Sequence, residues 1–348
     1  MPFKIGNHTI DNNSPCFIIA ELSANHNQKI EIALDTVRAA KDTGADAIKL
    51  QHYTPDTITL DSDKSYFQIT QGTIWDGTTL YKLYQSAYMP WEWTDKIMNL
   101  AAKLGLECFS SPFDFSAVDF LEKFNVPAYK IASFEITDIP LIEYIASKGK
   151  PIIVSNGVAE LPDLQLAVDT IRKTGNNNIV VLKCTSGYPA PLDEVNLNTI
   201  PDIAKRFNVV AGLSDHTLGV SVSVAAVALG AKVIEKHFIL DKSLGGPDAS
   251  FSLTPKEFTE MVKSVREVEK ALGTINYELT PKSKKSREHA RSLFVAEDVK
   301  TGDLFTKDNV RSVRPGYGLH PKYYKEILGR KANKDIEKGT PMSFDFIS

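Results

Sequence analysis

The chain has 348 residues, 43% hydrophobic and 24% charged, which is the make-up of an ordinary globular protein long enough for two domains or one large α/β barrel with an appendage. A formal net charge of −3 points to neither nucleic acid nor an anionic membrane as partner, and the absence of any apolar run of about 18 residues argues against a membrane span. An amino terminus without a secretory pattern and three widely spaced cysteines (Cys16, Cys108, Cys184) predict reduced thiols and a cytoplasmic protein.

Along the chain, short apolar β-type runs alternate with helical patterns. The predicted strands are Cys16–Glu21, Ala47–Gln51, Glu107–Ser110, Ala128–Ala132, Pro151–Ser155, Ile179–Cys184, Val209–Leu213 and Lys232–His237. Between them, Ile30–Thr43, Trp93–Leu104, Ala117–Phe124 and the small-residue segment Leu218–Gly230 read as helices, and Pro255–Leu272 closes the series. Eight strand-plus-helix units in about 275 residues predict an α/β fold of the (β/α)8 (TIM) barrel type. Tyr53–Met89 is too long for one helix and its turns. Its Gly72-Thr73-Ile74-Trp75-Asp76-Gly77 stretch predicts an extended loop over the barrel mouth, either a lid or recognition element or a simple shield.

Composition shifts near residue 275. The barrel is expected over 1–275 and a polar linker over 276–290, with Lys282, Lys284, Lys285, Arg287 and Arg291 as a solvated basic cluster. Residues 291–348 read as a small β-rich domain with runs at Ser292–Val295 and Leu304–Thr306, small enough to need packing against the barrel or a second subunit.

Barrel chemistry is carried at the carboxyl ends of the strands. Those ends hold Glu21; Lys49 and Gln51; Ser110 and Ser111; Lys130, Ser133 and Glu135; Ser155 and Asn156; Lys183, Thr185 and Ser186; Ser214 and His216; Glu235 and His237. His216 and His237 end two neighbouring strands, so the pair is a candidate site for one divalent metal; each alone also reads as a satisfied polar residue. Lysines buried in a barrel need an anion. Glu21, Glu135 or Glu235 could supply it, but three lysines flanked by hydroxyls favour an anionic ligand carrying phosphate and carboxylate. Residue types and spacing lead this far: an anionic substrate, a divalent metal and a barrel mouth, with Glu135 as a carboxylate for proton handling.

The segments Ile19-Ala20-Glu21-Leu22-Ser23-Ala24-Asn25-His26, Ile48-Lys49-Leu50-Gln51, Tyr129-Lys130-Ile131-Ala132-Ser133-Phe134-Glu135, Gly212-Leu213-Ser214-Asp215-His216 and Glu235-Lys236-His237-Phe238 resemble the sialic acid synthase family. The tail, with Val313-Arg314-Pro315-Gly316, resembles that family's antifreeze-like (SAF) domain. Within the family, Gln51–Thr59, Gly72–Gly77 and Phe109-Ser110-Ser111-Pro112-Phe113 are most similar to the pseudaminate-forming branch.

The resemblance implies a metal-dependent transferase that condenses phosphoenolpyruvate with the open aldehyde form of an N-acetylated amino sugar, releasing phosphate by C–O cleavage. For this branch the sugar is 2,4-diacetamido-2,4,6-trideoxy-L-altrose; legionaminic or N-acetylneuraminic acid synthesis is the alternative. It further implies that Lys49, Ser110, Lys130, Ser133, Ser155, Lys183 and Ser214 hold phosphoenolpyruvate. His216 and His237 would bind manganese, or magnesium or cobalt in its place, and Glu135 would position or deprotonate the water. Glu21, Gln51, Tyr188 and Asp248 would face the sugar, and Arg314 would reach its N-acetyl group from the second subunit of a domain-swapped homodimer. Two positions depart from family patterns. Ala249 follows Asp248 where sialic and legionaminic members usually carry histidine, and Asn156 stands where many pseudaminate members carry threonine. A non-catalytic carbohydrate- or ice-binding protein is a third reading, disfavoured by the combined Lys49, Lys130, Glu135, His216 and His237.

Overall fold

A computed structural model describes residues 2–70 and 72–348. They form two compact units, Met1–Gly273 and Thr274–Ser348.

The first unit opens with an antiparallel hairpin, β1 (Phe3–Ile5) and β2 (His8–Ile10), ahead of the first strand expected from the sequence. Gly6 turns it with a left-handed φ of +56°, and a Cβ there would fall 2.0 Å from the Glu107 carboxylate, whose Oε1 accepts the Asn7 N–H at 2.9 Å. Glu107 begins a barrel strand, so the hairpin closes the amino-terminal end of the barrel with buried Ile5 and Ile10. The mouth at the other end is left for chemistry.

Eight parallel strands follow and close on themselves: β3 (Phe17–Glu21), β4 (Ala47–His52), β5 (Glu107–Pro112), β6 (Tyr129–Ile131), β7 (Ile152–Ser155), β8 (Ile179–Cys184), β9 (Val210–Asp215) and β10 (Val233–His237). The last pairs with the first, His237 beside Glu21. Both faces are covered, which is why these strands read as unbroken apolar runs rather than alternating ones. The predicted helices are present with small shifts that caps explain. The Asp114 carboxylate accepts the Ser116 N–H at 2.6 Å and the Ala117 N–H at 3.2 Å, so that helix begins at Phe115. Thr254 and Glu257 form a reciprocal capping box ahead of Pro255–Leu272. The predicted Leu218–Gly230 helix shortens to Ser221–Ala228.

The Tyr53–Met89 segment, in which Gln71 lies outside the described residues, is more ordered than an extended loop. It contains helical turns at Pro55–Ile58 and Ser65–Phe67 and a helix at Leu80–Ala87 capped by Thr79. The i, i+3, i+4, i+7 spacing of Leu80, Leu83, Tyr84 and Ala87 carried that helix in the sequence.

In the second unit, a short helix, Pro281–Arg287, occupies the stretch expected to be linker, with its basic side chains exposed. Strand β11 (Ser292–Val295) pairs antiparallel with β12 (Val310–Val313). Leu304–Thr306, expected as a strand, makes only a single bridge from Leu304 to Lys331, because Thr306 and Asn309 tie the following residues into a turn. Leu293, Val295, Phe305, Val310, Ile327 and Met342 belong to a core of its own. No helix of the described residues is long and apolar enough to cross a membrane.

A barrel closed this tightly tolerates little added volume. A Cβ at Gly212 on β9 would lie 2.2 Å from the Val233 carbonyl oxygen and 2.6 Å from Leu182. Gly212→Ala is expected to cost about 1–3 kcal/mol, read as a lower urea midpoint for the barrel transition.

Candidate active site

Parallel register decides which strand-end residues meet, since paired residues on adjacent strands point to the same face. Glu21 pairs with Lys49 and with His237, Ser214 with Glu235, and Cys184 with Ser214. These side chains therefore converge inside the barrel. Lys49 forms an ion pair with Glu21, lies 3.8 Å from Glu235 and donates to the Ser111 hydroxyl at 3.2 Å. Lys130 lies 3.7 Å from the other oxygen of Glu235, which also accepts from the Ser214 hydroxyl at 3.2 Å. The Gln51 amide donates to Glu21 at 3.0 Å and to Ser23 at 3.3 Å. Lys49 and Lys130 are only 3% and 2% exposed. Carboxylates thus compensate both lysines, and a bound anion would enter an array already poised in charge.

The electrostatics follow from burial. Glu21 is pushed up to about 7 by loss of hydration, which outweighs the pull of Lys49. Glu135 is also raised to about 7 by burial, against the opposing charge of Lys130. Burial acts on Glu235 too, but Lys130 and Lys49 outweigh it and hold its carboxyl below the usual range. Burial and the neighbouring cationic groups keep His237 well below the ordinary imidazole value, so it is neutral and offers a lone pair.

The two histidines face each other, with ring centroids 5.3 Å apart and planes inclined by 68°. His216 Nδ1 lies 3.0 Å from the Thr185 carbonyl oxygen, which places a proton on Nδ1 and leaves Nε2 as the acceptor. His237 Nδ1 is buried without a hydrogen-bond partner, 3.8 Å from an Asp248 oxygen. Asp248 is held by the Ser23 hydroxyl, presented from a left-handed backbone at φ +49°, and by the Ala24 N–H at 3.3 Å. Further buried polar atoms without partners lie at Glu135 Oε2, Ser155 Oγ and Ser186 Oγ, all on the loops or strand ends of the mouth. Buried groups of this kind normally find a partner, so their concentration at one end of the barrel marks a site that a ligand completes. Burial pushes His216 down, but Cys184 outweighs it and raises its imidazole above the ordinary value. A divalent ion would take the place of that proton on Nε2, so the pair beside its carboxylates fits an ion held by few protein ligands. Among the described residues no cluster of three or more His, Cys, Asp or Glu side chains has metal-holding geometry.

The inward ring contains Glu21, Lys49, Gln51, Lys130, Ser133, Ser155, Ser214, Glu235, His216 and His237, with Tyr188 stacked 4.4 Å from His216. Two expected site residues point away from this ring. Ser110 faces the outer layer, where its hydroxyl meets His52 Nδ1 at 2.7 Å; His52 in turn reaches Thr94 at 2.8 Å. Its neighbour Ser111, in register with Gln51, is the serine that faces Lys49. Lys183 also points away, half-buried, donating to the Cys184 carbonyl at 2.6 Å and the Thr185 hydroxyl at 3.3 Å. The inward residue of that pair is Cys184, which accepts from the Ser133 hydroxyl at 3.3 Å and lies 3.8 Å from His216 Nδ1. Both differences are one-residue effects of strand alternation, and counting by twos from Gln51 along the register would have found Ser111. Arg314 is exposed at the end of β12 in the second unit. Asn156 is structural, its Oδ1 accepting the Cys184 N–H at 2.9 Å.

Comparison with known proteins bears on this arrangement. The NeuB family model matches residues 36–277, most of the barrel unit. The chain belongs to the NeuB family. Residues 290–348 match the SAF domain. A curated member named pseudaminic acid synthase, from Campylobacter jejuni, is 49% identical over 97% of both chains. N,N'-diacetyllegionaminic acid synthase of Legionella pneumophila, also similar across the barrel and tail, is 36% identical over 95% of this chain and 94% of its own. The crystal structure of N-acetylneuraminic acid (sialic acid) synthetase from Leptospira borgpetersenii, in complex with citrate, aligns with a TM-score of 0.74 at 29% identity, covering 82% of this chain and 95% of that one.

The raised Glu135 carboxyl has a consequence for stability. Its folded value of about 7 exceeds the unfolded 4.5, so its contribution is full below about pH 4.5 and is lost as pH rises through 7. Glu135→Gln is expected to match the parent at about pH 4 and to exceed it at about pH 8 by up to about 3 kcal/mol, measured as urea midpoints at the two pH values.

Proposed function

We propose that this chain is a pseudaminic acid synthase, joining phosphoenolpyruvate, water and 2,4-diacetamido-2,4,6-trideoxy-L-altrose to give pseudaminic acid and phosphate. The observation that carries the reading is the end-to-end 49% identity to the pseudaminic acid synthase, against 36% to the legionaminic enzyme. The mouth has groups for each part of the reaction. Lys49, Lys130 and the hydroxyls of Ser133, Ser155 and Ser214 bind the phosphate and carboxylate of phosphoenolpyruvate. Ser111 replaces Ser110 in this set, and Lys183 is outside it.

His216 and His237 would hold a divalent ion, manganese or one like it, by their ring nitrogens. When bound, such an ion supplies Lewis-acid polarisation of a carbonyl. Glu21, Gln51, Tyr188 and Asp248 orient the open-chain sugar so that its aldehyde carbon lies against carbon 3 of phosphoenolpyruvate. As the new carbon–carbon bond forms, carbon 2 becomes electron-poor and water adds there. Glu135, poised near neutrality, takes a proton from that water. The tetrahedral carbon 2 then expels phosphate by C–O cleavage, and the lysines stabilise the departing charge.

The rim of the mouth carries exposed apolar side chains on successive loops, among them Phe134 (62% exposed), Leu192 (71%) and Leu218 (60%). Such a rim supports assembly with a second copy. In that domain-swapped homodimer, Arg314 of the partner subunit meets the sugar's N-acetyl group. The reaction proceeds in the cytoplasm, where phosphoenolpyruvate is made.

Phosphoenolpyruvate labelled with 18O in its bridging position is expected to deliver the label to phosphate, read by mass spectrometry, and turnover is expected with the L-altro sugar in preference to N-acetylmannosamine. Efficient use of the latter alone would mark a neuraminate enzyme instead. The His216→Ala, His237→Ala double variant is expected to lose turnover at any added metal concentration; full activity would overturn the metal assignment. Mixing His237→Ala with Arg314→Ala subunits, each inactive alone, is expected to restore about a quarter of the parent activity, because random pairing leaves one intact composite site per mixed dimer. No recovery would place Arg314 in its own subunit's chemistry.

A further inference from the structure

In the Gly72–Gly77 turn of the long loop after β4, every residue is exposed except Trp75. The turn is rigidly built: the Asp76 carboxylate accepts the Gly72 N–H at 2.9 Å and both the N–H and hydroxyl of Thr73 at 2.8 Å. Its one inward side chain is aimed at the mouth. The indole N–H of Trp75 donates to the Pro247 carbonyl at 3.0 Å, and its ring lies 5.4 Å from that of Tyr188, tilted by 54°. Tyr188 is in turn 4.4 Å from His216 and 5.2 Å from Phe251. Trp75 is therefore latched to the residue preceding Asp248 and forms the outer end of an aromatic wall that starts at the histidine pair.

The geometry points to Trp75 as a specificity-determining residue for the far end of the sugar. Two ring-to-ring steps place the indole within about 10 Å of the His216 ring. An extended six-carbon chain with its aldehyde at the histidines ends about 6 Å away, one van der Waals contact short of that ring. The wall offers carbon 6 no hydrogen bond from the indole, whose only donor is spent on Pro247. A methyl group is matched there, whereas a hydroxyl would lose its water against an aromatic face. Trp75 thus selects sugars that are deoxygenated at carbon 6. This inference rests on the proposed sugar orientation.

The test compares 2,4-diacetamido-2,4,6-trideoxy-L-altrose with its 6-hydroxy counterpart as substrates of the full chain, by phosphate release. The parent is expected to favour the 6-deoxy sugar by about ten- to a hundredfold in kcat/KM. Trp75→Ala is expected to bring that ratio close to one while the KM for phosphoenolpyruvate stays within about twofold. Trp75→Phe, which keeps a ring and loses the latch, is expected to retain most of the preference. An unchanged ratio in Trp75→Ala, or an equal loss on both sugars together with a raised phosphoenolpyruvate KM, would reduce Trp75 to a structural clamp and overturn the inference. If the parent uses neither L-altro sugar but turns over another, the functional reading fails separately. The same ratio measured on a 6-deoxy and 6-hydroxy pair of that sugar then decides the role of Trp75.

Discussion

Glu235 is the residue around which the barrel mouth is organised. One of its oxygens lies 3.7 Å from Lys130 and accepts from Ser214, and the other lies 3.8 Å from Lys49. Two ammonium groups buried in the same cavity repel each other and have lost their water; Glu235 stands between them, and Glu21 adds a second carboxylate against Lys49. Glu235 stays ionised for that reason, while Glu21 and Glu135, with less compensation for their own burial, rise toward neutrality. Glu21 and Glu235 together outweigh the burial of Lys49, while burial still lowers Lys130 against the pull of Glu235, and Glu21 and Glu135 are left able to exchange protons. That division is what a site needs in order to bind a polyanion and also manage water.

The same two strands build a second buried pair that has no part in the chemistry. Lys236, next in sequence to Glu235, points outward and meets Asp215 at 2.8 Å with both side chains fully buried. Asp215 is further bound by Ser223 at 2.6 Å and Thr217 at 2.8 Å, and Lys236 donates to the Thr217 carbonyl at 2.7 Å. Through Ser223 this pair ties β9 and β10 to the helix Ser221–Ala228. His216 and His237 lie one residue beyond Asp215 and Lys236, on the opposite face of each strand. A Glu-Lys-His run thus alternates between site, scaffold and site within three residues.

Much of this was legible. Eight apolar runs of strand length, each ending in polar residues, carry the barrel because a parallel sheet covered on both faces must be apolar throughout. The histidine pair, Lys49, Lys130, Ser214 and Glu135 followed from position at strand ends. The amino-terminal hairpin is not legible in the sequence because three-residue strands carry too little pattern, and its plug against Glu107 is a contact between residues a hundred positions apart. A strand end names a place without naming a face, so position alone does not separate Ser110 from Ser111 or Lys183 from Cys184.

By itself, then, the sequence determined the barrel, the small second unit and the inventory of groups at the mouth, since hydrophobic period and strand-end chemistry are local properties of the chain. Tertiary structure alone decided which of two adjacent residues enters the site: Ser111 over Ser110 and Cys184 over Lys183. The Gly72–Gly77 stretch is legible as a loop over the mouth; that Trp75 is its inward side chain, latched to the Pro247 carbonyl, is decided by the tertiary structure. The physical reason is common to all of these. Face and proximity are set by register between strands and by where a loop lands, and both depend on pairings far apart in the chain, so no local spacing encodes them.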